Sequence, residues 1–181
     1  MIEFSYNNHI KYGYDNVYDY QFRTSADQKY SLQFSKATQT VLSYRDECIR
    51  TAQLIKERAG NQTIWISYSG GIDSECVIRS FMEAGIPFKV ATTKFKDELN
   101  EYDLYFARKF CRENNIKLHE IEIDIQKFLE NDLETYAYAL NCNSPIFPSH
   151  LKLWDQLDGF VVAGYGDPIF RRLESTNDWL F

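Results

Sequence analysis

The sequence predicts an α/β protein: an open, doubly wound parallel sheet preceded by a short β-hairpin. From residue 63 onward, compact apolar runs of strand length alternate with amphipathic stretches of helical period. That alternation is what βαβ crossovers require. Gly60 and Gly85 stand where helices should stop. The first 35 residues follow another rhythm, dense in aromatics that alternate with polar residues, which is the period of a half-buried strand.

In order, residues 1–35 form an aromatic β-hairpin extension and residues 36–181 the α/β domain. Tyr18, Tyr20 and Phe22 alternate with Asp19, Gln21 and Arg23, and Asn7-Asn8 and Asp15-Asn16 supply turn chemistry. Residues 37–58 are expected to be a helix with Val41, Cys48, Ala52 and Ile55 on its apolar stripe. Strands follow at 63–68, 88–93, 117–123 and 159–164. Helices are expected at 74–84, 99–113, 125–140 and 151–157. In the second of these, Leu99, Tyr102, Phe106 and Phe110 share a side, and a polar loop spans 141–148.

Composition narrows the function. With 20 basic and 26 acidic residues the net charge is −6, which argues against a protein that grips phosphate backbones, so no nucleic-acid partner is expected. No apolar run nears the roughly 18 residues of a membrane span, and the N-terminus lacks a signal-peptide layout. A soluble, cytoplasmic protein is the expectation. Cys48, Cys76, Cys111 and Cys142 are scattered without a CxxC pair, and His9, His119 and His150 are equally dispersed, so buried reduced thiols fit better than a metal cluster.

The segment that carries chemistry follows the first strand of the alternating region: Ser69-Gly70-Gly71-Ile72-Asp73-Ser74. Two glycines allow a sharp turn and close approach of an anion to the backbone amides. The next helix points free N–H groups and the positive end of its dipole at the same place. Ser69 and Ser74 add hydroxyls, and Asp73 offers a carboxylate for a magnesium ion shared with phosphates. Together these describe a phosphate cradle. Neither a Gly-Lys pair nor a GxGxxG occurs in the chain. As an alternative, Gly-Gly could be plain turn chemistry with Asp73 as an N-cap.

This string resembles the SGGxDS loop of the PP-loop ATP pyrophosphatases, whose fold is Rossmann-like. The resemblance implies ATP and Mg²⁺ as cofactors. It also implies attack of a substrate oxygen on the α-phosphate, release of pyrophosphate, and capture of the adenylate by an amine, ammonia or sulfur donor. Carried over by position, Ser69, Gly70, Gly71, Asp73 and Ser74 would hold the phosphates, and Ala91, Thr92 and Thr93 would contact adenosine. Within the superfamily the chain is most similar to the synthetase domain of asparagine synthetases and β-lactam synthetases, over roughly residues 63–172. Thr93-Lys94-Phe95, Asn100-Glu101 and Leu118-His119-Glu120 carry that likeness. Gly164-Tyr165-Gly166-Asp167 stands where the family has GEGxDE, with Tyr165 replacing its first acid.

Asp73 and Arg171 are the candidate catalytic residues, Arg171 as a bidentate contact to a phosphate or substrate carboxylate, with Gly164 a further nucleotide contact and Asp73 and Asp167 the candidate metal ligands. Arg172, Lys94, Lys96, and the loop residues Asn141, Asn143 and Ser144 are further candidates for the site, while His119 is expected to be structural. Ile2 stands where a glutaminase domain would expose a cysteine, and the family's C-terminal helical portion is expected to be absent. A homodimer through the aromatic N-terminal segment would then complete the substrate pocket. The expected function is an AMP-forming synthetase acting on a small carboxylate or amide. The alternatives are a non-catalytic ATP- or AMP-binding module and a nucleoside- or tRNA-modifying enzyme of the same superfamily.

Overall fold

The computed structural model describes residues 10–15, 25, 27–34, 40, 42–139, 146–164, 171–172 and 179–180. The chain divides into two compact units, Met1–Glu47 and Cys48–Phe181. In the first, β1 (Ile10–Tyr14) pairs antiparallel with β2 (Tyr30–Phe34) in register from Ile10 opposite Phe34 to Tyr14 opposite Tyr30. The alternating run at 18–23 lies outside the described residues.

Helix α1 (Tyr44–Ala59) begins later than the apolar stripe suggested. Ser43 stops it on the N-terminal side: its Oγ accepts from the Asp46 amide at 3.2 Å and donates to the Asp46 carboxylate at 2.6 Å. Leu42 donates its amide to Glu47 at 2.8 Å. These bonds satisfy amides that a longer helix would have engaged internally.

The second unit holds a four-stranded, all-parallel sheet. Its strands are β3 (Ile64–Ser67), β4 (Lys89–Phe95), β5 (Leu118–Ile123) and β6 (Phe160–Ala163), in the order β5-β4-β3-β6. The chain therefore runs outward from β3 through β4 to β5, then returns to lay β6 on the other side of β3. The sheet order reverses between β3 and β6, and crevices beyond the strand carboxyl ends at such a point take ligands.

Both faces are covered, so β3 is apolar from Ile64 to Ile66 and its residues alternate between two cores. Ile64, Ile66 and Tyr68 face Ala52 and Ala59 of α1, Ile78 and Phe81 of α2 (Ile72–Glu83), and Ala107, Phe110 and Cys111 of α3 (Glu101–Glu113). Trp65 faces the other way, into a cluster with Ala91, Ile123, Phe128 and Leu153. Burial pushes the Cys111 thiol up to about 11, which keeps it protonated, whereas Cys48 and Cys76 are only partly buried.

Later helices differ from expectation as well. Helix α3 buries Leu104, Ala107, Phe110 and Cys111, while Leu99, Tyr102 and Phe106 are exposed, so the packed stripe lies on a neighbouring face. The helix expected at 125–140 is composite: α4 (Ile125–Lys127), a π-helical turn (Phe128–Asp132) and α5 (Leu133–Ala139). Finally, α6 (Ile146–Trp154) starts before Pro148, because proline in a first turn sacrifices no intrahelical bond. The chain ends with a small antiparallel pair, β7 (Arg171–Arg172) and β8 (Trp179–Leu180). Among the described residues no helix is long and apolar enough to cross a membrane.

Candidate active site

The predicted loop sits at the carboxyl end of β3, beside the point where strand order reverses. Tyr68 makes the last ladder contact, donating its amide to the Ala91 carbonyl at 2.8 Å. Gly70 then takes φ +86°, and a Cβ there would lie 2.6 Å from the Asp103 carbonyl oxygen of α3. Only glycine satisfies both the left-handed conformation and the close approach. On the other side, a Cβ on Gly164 would lie 3.0 Å from the Ser74 Cα and amide nitrogen. The loop is thus wedged between α3 and the end of β6.

Helix α2 begins at Ile72, two residues earlier than predicted, with Gly71 as its N-cap at φ −86° and ψ 161°. Gly71 has no side chain to offer, and among the described residues no side chain caps this helix. Asp73 is therefore not a cap. It sits in the first turn with its carboxylate exposed.

The two serines close a ring of hydrogen bonds within the loop. Ser74 Oγ donates to the Gly71 carbonyl at 3.1 Å, so across the 3.1 Å contact between the hydroxyls Ser69 is the donor. Ser69 Oγ in turn accepts from the Gly71 amide, and Ser74 Oγ accepts from the Ser69 amide, both at 3.3 Å. The hydroxyls expected as phosphate donors hold the loop in shape, and Ser74 is buried. What this leaves toward solvent is the uncapped first turn of α2, with partial positive charge at its amides.

A cavity of about 160 Å³ opens over the strand ends. Ser67, Ser69, Ser74 and Gly164 line the loop side. Thr92, Thr93 and Phe95 of β4 and Asn100 and Asp103 at the start of α3 form a second wall. Ser149, His150 and Leu153 of α6 form a third. Helix α6 is tied to the sheet by Trp154, whose Nε1 donates to Ser67 Oγ at 3.1 Å, and His150 stacks on the Trp154 ring at 6.4 Å. Burial holds the His150 imidazole below its usual range.

Of the predicted nucleotide contacts, Ser69, Ser74, Thr92, Thr93 and Gly164 line this cavity. Gly70 and Gly71 shape the loop beside it. Ala91 is fully buried, with its carbonyl engaged by Tyr68. Arg171 is paired with Leu180 in the small terminal sheet, and its side chain is not among the described ones. Asp167, Asn141, Asn143 and Ser144 lie outside the described residues. Among those described, no three His, Cys, Asp or Glu side chains gather as a metal cluster. Asp73, exposed beside the loop, and Asp103, which lines the cavity where Asp73 does not, each offer a hard carboxylate oxygen of the kind a magnesium ion takes, an ion that uses one or two carboxylates and leaves its other positions to phosphates and water.

Other flagged residues have structural partners. Lys94 pairs with Glu122 at 3.3 Å and Lys96 with Asp124 at 3.1 Å. His119 packs edge-on against Trp65 at 5.0 Å. Burial first, then Lys117 and Lys89, holds its imidazole below the usual range. Glu101 and Glu120 both bind Arg108, at 2.6 and 2.7 Å. That bond to Arg108 holds the Glu120 carboxyl below its ordinary value.

The α6 wall and Tyr68 were not anticipated. Pro148 masked the start of α6, and nothing local in the sequence marks Tyr68. This residue is 2% exposed and its hydroxyl has no hydrogen-bond partner among the described residues. Burial, with Glu75 and Cys111 nearby, pushes its phenol up to about 12.

No family model matches the chain. Over 100 residues it is 28% identical to the microcin J25-processing protein McjC of Escherichia coli, a stretch that makes up 55% of this chain and 18% of that protein. Among solved structures it is similar to the NH3-dependent NAD synthetase of Campylobacter jejuni, at TM-score 0.46 and 22% identity, covering 67% of this chain and 57% of that one. A glutamine-dependent NAD+ synthetase of Acinetobacter baumannii, in complex with ADP, gives TM-score 0.48 at 11% identity, with 80% of this chain and 29% of that one covered. The NMN synthetase of Francisella tularensis gives 0.47 at 16%, with 68% and 53% covered. The chain spans less than two thirds of each of these proteins.

Proposed function

We propose that this chain binds ATP across the carboxyl ends of β3 and β4 and catalyses AMP-forming activation of a small carboxylate or amide, with release of pyrophosphate. One observation carries the reading. The Ser69–Ser74 loop satisfies its own hydroxyls, while the first turn of α2 has no side-chain cap and stands at the rim of a cavity where the sheet order reverses. Such an arrangement favours a phosphate group.

A substrate oxygen attacks the α-phosphorus, the bond to the bridging oxygen of the β-phosphate breaks, and pyrophosphate leaves with the electron pair. The negative charge that grows on the departing group lies against the amides at the start of α2. These amides are held in place before reaction by the serine ring and the two close glycine contacts, so little reorganisation opposes the step. Asp73 would hold a magnesium ion that neutralises charge on the leaving pyrophosphate. Thr92, Thr93 and Phe95 form the wall for the nucleoside, and the α6 wall with Ser149 and His150 is left for the acceptor. Arg171 is assigned to a bidentate contact with a phosphate or substrate carboxylate, and Asp167 to a second magnesium ligand.

The test is product analysis with Mg-ATP and a pool of small carboxylates, with Asp73→Ala alongside. AMP and pyrophosphate in equal amounts from the parent, and neither from the variant, is the expected result. ADP and phosphate would overturn the assignment of the reacting phosphorus. Saturable ATP binding without turnover under any acceptor would make the chain a nucleotide-binding module.

A further inference from the structure

Strand β4 runs past the end of β3, leaving an unpaired edge that faces the cavity. The last ladder bond between them joins the Tyr68 amide to the Ala91 carbonyl. Backbone groups alternate along a strand, so those of Thr93 and Phe95 point the same way as those of Ala91, toward the place a longer β3 would occupy. Asn100 fills that place. Its Nδ2 donates to the Thr93 carbonyl at 2.8 Å, and its Oδ1 accepts from the Phe95 amide at 2.8 Å. One side-chain amide thus stands in for the peptide of a missing neighbouring strand.

Two further observations show that this placement is specified. Asn100 is the N-cap of α3, where asparagine ordinarily accepts from an amide of the first turn, yet it makes no capping bond. The chain reaches it through Asp97 and Glu98, both at φ +59°. Consecutive left-handed residues other than glycine are uncommon, and strain of this kind persists only where surrounding contacts hold it.

We infer that Asn100 is a positioning residue that selects the base of the bound nucleotide, an inference that rests on the ATP reading above. A carbonyl oxygen has two lone pairs, and Asn100 engages one of those on Thr93. The other remains for a ligand in the cavity, at an orientation the carboxamide holds. A fixed acceptor there favours a base with an exocyclic amino group, as in adenine, and repels one with a keto oxygen at the same position, as in guanine. Phe95 supplies the adjoining apolar surface.

The experiment measures dissociation constants for ATP and GTP by calorimetry on the full chain, comparing the parent with Asn100→Ala, Asn100→Asp and Asn114→Ala. Asn114 donates to the Phe110 carbonyl at 2.8 Å, at the other end of α3, so its loss is a purely structural control. The parent is expected to prefer ATP at least ~10-fold, a difference of about 1.4 kcal/mol. Asn100→Ala should bring the two constants within about threefold, and Asn100→Asp, which keeps the Phe95 bond and loses the Thr93 bond, should fall between. Partial unfolding weakens both nucleotides equally and leaves the ratio alone, as Asn114→Ala should show. An unchanged ratio in either Asn100 variant overturns this inference by itself. A parent that binds ATP and GTP equally also overturns it without touching the proposed reaction, whereas a parent that binds no ATP overturns both.

Discussion

The turn after β3 and the turn after β4 do the same geometric work, carrying the chain from a strand end into a covering helix at the rim of one cavity. They do it with different parts. The first relies on glycine: Gly70 in a left-handed conformation against α3, Gly71 as a cap without a side chain, and two hydroxyls bonded to each other. The second has no glycine. It tolerates two left-handed acidic residues and holds them with the carboxamide of Asn100. A turn made by glycine leaves its helix amides open to a ligand, while a turn made by a side chain leaves a backbone edge already half engaged. The first suits an anion of any identity, the second a group that must be told from its relatives.

The largest expected effect tests the glycine turn. Gly70→Ala combines a left-handed penalty with a Cβ 2.6 Å from the Asp103 carbonyl oxygen, and should cost about 3 kcal/mol or more and abolish pyrophosphate release. Gly60→Ala is the control, because Gly60 is also left-handed at φ +57° but has no atom within 4 Å of the new Cβ. Its cost should stay near 1 kcal/mol by denaturant titration. Equal losses for the two would mean that the wedge against α3 contributes nothing.

Next comes Asp73→Ala, which should lower pyrophosphate release by about 100-fold or more. Because the side chain is exposed, the melting temperature should hardly move. A large loss of stability would return Asp73 to a structural role and weaken the claim that this turn is built for a ligand.

Tyr68 joins β3 to the loop and gives a pH test. Its phenol is pushed up to about 12 from 10.0, chiefly by burial. The folded state therefore keeps its proton over a range where the unfolded chain loses it. The resulting stability is fully present below pH 10 and is lost as pH rises toward 12. Parent and Tyr68→Phe should diverge across that window by about 2 kcal/mol. At neutral pH the phenylalanine variant should be equal or slightly more stable, since an unpartnered hydroxyl leaves the interior. Parallel curves through pH 12 would show that the hydroxyl is solvated.

The smallest effect concerns the brace behind the side-chain turn. Arg108 binds Glu101 and Glu120 together, but all three are partly exposed. Arg108→Gln should cost no more than about 1 kcal/mol and lose most of that difference in high salt. A greater cost would mean that the β4 turn depends on this ion network as well as on Asn100.

Much of the molecule was legible in the sequence because the signals are local. Apolar strands separated by amphipathic helices dictate a parallel sheet, and Ser69-Gly70-Gly71 before a helix dictates where free amides collect. Gly70 and Gly71 need no knowledge of their neighbours to be recognised as a turn. What the sequence left open concerns partners distant along the chain. That the serine hydroxyls close on each other, that Ala91 is buried while Thr93 meets the cavity, and that α6 brings His150 to the opposite wall all follow from strand order. So does the role of Asn100, whose carboxamide matters only because β3 ends before β4 does. Backbone propensity and hydrophobic period act over a few residues, so they are written in the sequence. Which hydrogen-bond donor meets which acceptor across the cavity depended on the relative lengths and order of the strands, and only the tertiary structure decided that.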